Sequence, residues 1–219
     1  NRIPVFVDAE ESWIQNAIDN IILKMMQKYN TKHTWIYNTI QLYRKDRILY
    51  LQKIISKAKE NNFFIGLKLV RGAYHEKEIK RAENMNYPCP VHKRKQQTDN
   101  DYNKALKICI ENLDIVSICA GTHNEESSTL LINLLTEYKI SKNDKRVYFS
   151  QLLGMSDNIS YNTAKKGYNV AKYVPYGPVR EVIPYLIRRV EENSAITGQT
   201  KQEIKRLKKA LNNKLKKTQ

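Results

Sequence analysis

Phe63-Phe64-Ile65-Gly66-Leu67-Lys68-Leu69-Val70-Arg71-Gly72-Ala73-Tyr74 reads as a buried strand that runs into a turn. The apolar run is too short for a surface helix, and Gly72 punctuates its end. Lys68 lies near the C-terminal end of that strand. It has two functional readings, a Schiff-base nucleophile as in barrel aldolases or a fixed cation beside a cofactor. The plain reading is a strand lysine that carries its charge to the rim. Arg71 adds charge for a phosphate or an electron-rich ring, and Gly72 allows a close backbone approach. One glycine alone is no phosphate-binding fingerprint.

Five more runs of this kind occur: Ile3–Asp8, Trp35–Gln41, Ile115–Ala120, Val147–Leu152 and Asn169–Val174. Amphipathic stretches alternate with them at Ser12–Tyr29, Lys45–Glu60, Glu76–Asn84, Asp99–Glu111, Glu125–Tyr138, Ile159–Lys166 and Val179–Glu192. Strand–helix alternation throughout implies an α/β fold with a parallel sheet and helices outside it. An open doubly wound sheet would gather its functional residues at one switch point. Here Asp8, Gln41, Thr122-His123-Asn124, Gln151 and Tyr173 all fall at or just after strand C-termini. Polar residues at the same end of nearly every strand are what a (β/α)8 TIM-type barrel requires. Six strand candidates fall two short of eight, so an N-terminally truncated barrel is expected over residues 1–198. A basic amphipathic tail follows over residues 199–219.

The chain has 219 residues and a formal net charge of +16. That charge raises nucleic acid as a partner. The excess is mostly lysine spread along the chain, without an RNA-binding signature or zinc-finger spacing. One patch is concentrated: Lys201, Lys205, Arg206, Lys208, Lys209, Lys214, Lys216 and Lys217 beside Ile204, Leu207, Leu211 and Leu215. Such a stretch suits an anionic membrane surface, docking on the body of the protein, or simple solvation as a terminal helix. Cys89, Cys109 and Cys119 have no CxxC spacing and suggest a reducing, cytoplasmic compartment. No run reaches the length of a membrane span, so membrane contact is expected to be peripheral, at the inner face. The histidines are scattered, and no metal site is expected.

Near the other end, Tyr185-Leu186-Ile187-Arg188-Arg189-Val190-Glu191-Glu192-Asn193 carries a second signal. On a helix, Tyr185, Arg188, Arg189 and Glu192 project from one side, with Leu186, Ile187 and Val190 toward a core. Two adjacent guanidiniums beside a tyrosine form a clamp for a small carboxylate, or a solvated helix face. At the opposite end of the chain, Asp8 stands at a strand tip where it can orient a cation. Glu10 and Glu11 read as helix caps. Thr122 and His123 offer a hydroxyl and an imidazole for a cofactor's polar edge, or serve as plain capping residues.

Taken in order, Asp8-Ala9-Glu10-Glu11, Leu69-Val70-Arg71-Gly72-Ala73-Tyr74, Thr122-His123-Asn124, Gln151-Leu152-Leu153-Gly154-Met155, Tyr173-Val174-Pro175-Tyr176-Gly177-Pro178 and the Tyr185–Asn193 stretch resemble the proline dehydrogenase family. Each motif alone is weak; the ordered set is specific. The resemblance implies a flavin enzyme in a (β/α)8 barrel. L-proline would give a hydride from C5 to N5 of FAD, yielding Δ1-pyrroline-5-carboxylate, with electrons passed on to a membrane quinone. By position, Arg188 and Arg189 would pair with the proline carboxylate. Tyr173, Tyr185, Leu152 and Tyr74 would wall the ring, and Asp8 and Lys68 would stand at the reacting centre. The matching FAD positions are Ala9, Gln41, Val70, Arg71, Gly72, Ala73, Thr122, His123, Lys95 and Glu192.

Two departures accompany the resemblance. Many members carry arginine at the position of Lys68, and lysine keeps the charge while losing the planar fork. The family's first barrel strand, with a lysine for the substrate carboxylate, would precede Asn1, so full activity is not expected of the chain as it stands. Nothing after the barrel has the length of an aldehyde dehydrogenase domain, which implies the monofunctional form. Two other classes stay open on the residues alone: a Schiff-base aldolase-type barrel using Lys68 or Lys172, and a basic nucleic-acid-binding protein.

Overall fold

A computed structural model describes residues 3–180 and 182–187. The chain separates into two compact units, Asn1–Tyr173 and Val174–Gln219. The first holds β1 (Val5–Val7), α1 (Ser12–Tyr29), β2 (Ile36–Gln41), α2 (Arg47–Asn61), β3 (Ile65–Val70) and α3 (His75–Asn84). It continues with α4 (Lys95–Glu111), β4 (Val116–Gly121), α5 (Glu125–Glu137), β5 (Val147–Leu152), α6 (Asp157–Lys165) and β6 (Val170–Tyr173). In the second unit, residues 179–180 and 182–187 are helical. The sequence boundary between residues 198 and 199 lies outside the described residues.

All six strands pair in parallel, in the order β1-β2-β3-β4-β5-β6. This order is the decisive topological fact. Parallel crossovers are right-handed, so a sheet that always advances in one direction puts every connecting helix on the same face. An open doubly wound sheet reverses once and covers both faces. Here one face is packed and the other is left to curl inward. That is an arc of six strands from a (β/α)8 barrel, as the polar strand ends imply.

The core lies between the sheet and the helices. Ile40, Leu67, Leu69, Ile118, Ala120, Val147 and Phe149 point outward from the strands and are fully buried there. They meet Ile22 and Met26 of α1, Leu51 and Ile55 of α2, Leu106 and Cys109 of α4, and Leu131 and Leu135 of α5. Alternation along each strand then sends every second residue to the other, concave face.

Two helix starts follow local chemistry, and one is capped from across the fold. Asn124 caps α5 by accepting from the Ser127 N–H at 2.8 Å. The sequence places the start of α4 at Asp99, yet the helix begins four residues earlier because Gln97 reaches back to the Arg94 N–H at 3.1 Å. Neither Glu10 nor Glu11 caps α1 through its side chain. Glu78 of α3 does so across the fold, accepting from Ser12 N and Ser12 Oγ at 2.6 Å each. The capping expectation fails because Glu11 is drawn into an ion pair with Lys77, and Glu10 accepts from the Tyr74 hydroxyl at 2.8 Å.

Two buried polar groups fix the strand starts. Asn30, fully buried, accepts from the N–H groups of Trp35 and Ile36 at 2.9 Å. Its amide donates to the carbonyls of Ile36 at 2.9 Å and Phe64 at 3.1 Å. One side chain thus ties the end of α1 to two strands. Behind β2, Arg47 donates to Asp19 at 2.7 Å, while Gln15 and Asn38 also donate to that carboxylate. Replacing Asn30 by alanine strands four main-chain groups in a dry site. We predict a loss of about 2–4 kcal/mol in denaturant unfolding.

Candidate functional site

The concave face carries an unusual set of residues for the inside of a sheet. Register places Thr39, Lys68, Cys119 and Tyr148 in one row across four strands. Gln41, Val70 and the row's continuation through Gly121, Ser150 and Ala171 form the next layer toward the strand C-termini. Leu152 pairs with Tyr173 at the far end of that face. Asp8, two residues beyond Phe6, shares its parity; Phe6 itself stacks on Tyr37 with centroids 4.3 Å apart.

Asp8 and Lys68 meet in an ion pair. Lys68 keeps a side-chain exposure of 16% while Asp8 has 53%, so the cation is sunk into the face and its partner sits at the mouth. The Lys68 ammonium also lies 5.7 Å from the centre of the Tyr173 ring, within reach of a cation–π contact. Asp8, Lys68 and Tyr173, predicted separately from three strand ends, therefore converge. Lys172 does not join them. It points the other way, donating to the Met155 carbonyl at 2.9 Å and to Asp157 at 2.7 Å. Beneath Lys68, burial pushes the Cys119 thiol up to about 11, with Ser150 and Lys68 pulling it back only in part, so it stays protonated and inert.

Arg71 forms the second focus. It follows Val70 with opposite parity and leaves the concave face for the gap between α4 and α5. Its Nε donates to Asp99 at 2.6 Å, Nη1 to Thr122 Oγ1 at 2.6 Å and Nη2 to Ser127 Oγ at 3.0 Å. Its guanidinium carbon lies 4.5 Å from the centre of the Tyr102 ring. Lys95 donates to the same Asp99 at 2.8 Å. Thr122 Oγ1 also accepts from the Asn124 N–H at 3.1 Å, while the Tyr102 hydroxyl donates to the Leu69 carbonyl at 3.5 Å. The hydroxyl expected to touch a cofactor is thus committed to holding Arg71.

Other expected positions are distributed as follows. Gln41 is buried and donates to the Glu10 carbonyl at 2.7 Å, which fastens the loop after β1 over the end of β2. Ala9, between Asp8 and Glu10 in that loop, is half-buried. His123 Nδ1 lies 3.0 Å from Ser156 Oγ in the loop after β5. Gln151 turns away from the concave face and bonds Ser160 of α6 at 2.8 Å and the Thr122 carbonyl at 3.2 Å. Gly72 has φ +129, and a Cβ there would stand 2.4 Å from the buried Tyr43 ring, so the turn admits only glycine. Ala73 beside it is exposed, and Tyr74 is held toward the Asp8 loop by Glu10. In the second unit Tyr185 is half-buried, whereas Leu186 and Ile187 are 45% and 51% exposed rather than packed in a core. Arg188, Arg189 and Glu192 lie outside the described residues.

Asp99 and Ser127 are absent from the sequence reading. The usable signal for Asp99 was its spacing of four from Lys95 on a helix. The donor set suits a large anionic, ring-bearing cofactor: a cation pair beside Gly72, exposed main chain at the turn, and a lysine under the mouth. Among the described residues no group of three or more His, Cys, Asp or Glu side chains could hold a metal ion.

Comparison with known proteins bears on the family and the fold. The sequence model of the family described as proline dehydrogenase matches residues 1–202. The chain belongs to the proline dehydrogenase family. It is 37% identical over 211 residues to the mitochondrial proline dehydrogenase 1 of Drosophila melanogaster, covering 92% of this chain and 31% of that protein. It is 38% identical over 204 residues to the human mitochondrial proline dehydrogenase 1, covering 92% and 34%. The chain spans about a third of the length of these curated relatives. The crystal structure of proline utilization A from Bdellovibrio bacteriovorus, inactivated by N-propargylglycine, aligns with a TM-score of 0.83 at 23% identity, over 89% of this chain and 20% of that one. At that identity the likeness concerns the fold, and it agrees with a barrel arc. The expected cytoplasmic location does not stand, because both relatives are named as mitochondrial proteins. No helix among the described residues is long and apolar enough to cross a membrane.

Two carboxylates, Asp99 beside Arg71 and Asp46 beside Arg44 and Arg47, give a pH signature. Burial alone would raise Asp99, but hydrogen bonds from Lys95 and Arg71, with their charges, outweigh it and hold the group below its ordinary 3.8. Arg47 and Arg44 do the same for Asp46 against burial. A carboxyl lowered on folding stabilises the native state above its unfolded value and loses that contribution as pH falls through the lowered one. Unfolding free energy should therefore stay level from neutral pH to about pH 4 and drop below it. Asp99→Asn should flatten part of that drop in denaturant titrations at stepped pH.

Proposed function

We propose that the chain forms the FAD- and proline-binding part of an enzyme that oxidises L-proline to Δ1-pyrroline-5-carboxylate. The observation that carries this reading is the meeting of Lys68, Asp8 and Tyr173 at the C-terminal mouth of a barrel arc whose family is proline dehydrogenase. Bound FAD would supply a two-electron acceptor at its N5 atom. The residues of the chain then have to position rather than exchange protons. Proline must lose a hydride from C5 while the nitrogen lone pair closes the C=N bond, so the amine has to arrive neutral.

Lys68 would supply a fixed positive charge to the bound flavin, and Asp8 holds that ammonium in place. A cation already in place would stabilise negative charge gained by the cofactor. Arg71, Gly72, Ala73, Val70, Gln41 and Ala9 line the route for the rest of the cofactor, with Lys95, Thr122, His123 and Glu192 at its far part. Tyr173, Leu152 and Tyr74 would wall the proline ring, and the family resemblance assigns Tyr185 the same role. The family resemblance assigns Arg188 and Arg189 to the proline carboxylate, where charge-assisted hydrogen bonds would orient C5. A membrane quinone would take the electrons, and the basic composition of residues 201–217 suits an anionic membrane surface.

The test is optical. The purified full-length protein should show a protein-bound flavin spectrum that bleaches on anaerobic addition of L-proline. A colourless protein that holds no flavin would contradict the reading. Arg188→Ala or Arg189→Ala should raise the proline concentration for half-maximal bleaching by about tenfold or more while flavin content stays level. An unchanged dependence on proline would remove the clamp.

A further inference from the structure

Arg71 is held at three points, which is more than a surface cation needs. An arginine has five N–H donors in a fixed fork. Asp99 takes the one on Nε, Thr122 one on Nη1 and Ser127 one on Nη2. One N–H on each Nη is left over, and the side chain keeps 21% of its exposure. The Tyr102 ring, fully buried, closes one flat side of the guanidinium. The fork is thus held in place, with a donor to spare on each terminal nitrogen.

Lys95 is placed by the same acidic group. It is 75% exposed, and a lone pair of that kind one helix turn apart contributes little. Its partner changes its meaning. The Asp99 carboxylate uses Oδ1 for Arg71 and Oδ2 for Lys95, so a single half-buried group bridges two cations from different segments of the fold. Its side chain is only 16% exposed. Neither cation can swing freely while Asp99 holds both.

We infer that Asp99 is a positioning residue that fixes Arg71 and Lys95 as a cationic pair for the phosphate groups of the flavin cofactor. This rests on the flavin reading above. Asp99 itself touches neither phosphate nor ring. Its effect works through the ordering of two long side chains, whose freezing would otherwise oppose binding. A negative charge beside a phosphate site ought by charge alone to weaken binding, so removing it should tighten the complex. Ordering predicts the reverse sign. That opposition makes the inference testable.

FAD affinity of the wild-type chain and of Asp99→Ala is measured by quenching of flavin fluorescence, with riboflavin as a probe that carries the ring and no phosphate. The expected result is FAD affinity weaker by about tenfold in Asp99→Ala, the loss of one hydrogen bond to a charged group. Riboflavin affinity should stay within about twofold, and Asp99→Glu should recover part of the FAD loss. Unchanged or tighter FAD binding in Asp99→Ala overturns the inference and leaves the flavin reading standing. Equal losses for FAD and riboflavin overturn it too, since they indicate a damaged fold. A wild-type chain that binds no FAD overturns the flavin reading and this inference together.

Discussion

Everything in the barrel arc follows from one constraint: six parallel strands advance in sequence order, so right-handed connections put all helices on a single face. The helix-covered face absorbs the apolar residues of one parity. The opposite parity has no helices to meet. Thr39, Lys68, Cys119 and Tyr148 can only line the inside of the curve, and a lysine there is conspicuous because a packed barrel interior favours branched apolar residues. The ion pair with Asp8 makes that burial tolerable, since a charge in such a place needs a partner.

The same topology separates two kinds of work at the strand ends. Residues of inward parity, Lys68 and Tyr173 among them, face the mouth where a small substrate would sit. Residues one step further along, such as Arg71, turn between the tops of neighbouring helices and meet Asp99, Thr122 and Ser127. A long cofactor needs both environments: a floor under its reactive ring and ordered cations under its anionic part. Gly72 is the hinge between them, because the buried Tyr43 ring leaves no room for a side chain.

Much of this was legible in the residues. Val147–Leu152 appears with the bounds its apolar run implies, and the other strands differ by one or two residues at their ends. Alternation and β-branching are local signals, which is why strands were readable. The convergence of Asp8, Lys68 and Tyr173 followed from strand-end position alone. What was not legible depends on contacts distant in sequence. Glu78 caps a helix 66 residues away, which left Glu10 and Glu11 free to take other partners. Asn30 carries no local signal in the sequence, yet it ties three segments together. Thr122 reads as a free hydroxyl only until Arg71 and Asn124 are found around it.

The central claim is that the flavin lies across the C-terminal ends of these strands. Hydrogen–deuterium exchange of the chain with and without FAD measures that directly. The account predicts that FAD slows exchange at main-chain amides in residues 8–10, 70–74 and 122–124, while residues 34–36 and 63–65 at the opposite strand ends are unaffected. Protection centred on the opposite ends, or none at residues 70–74, would contradict it.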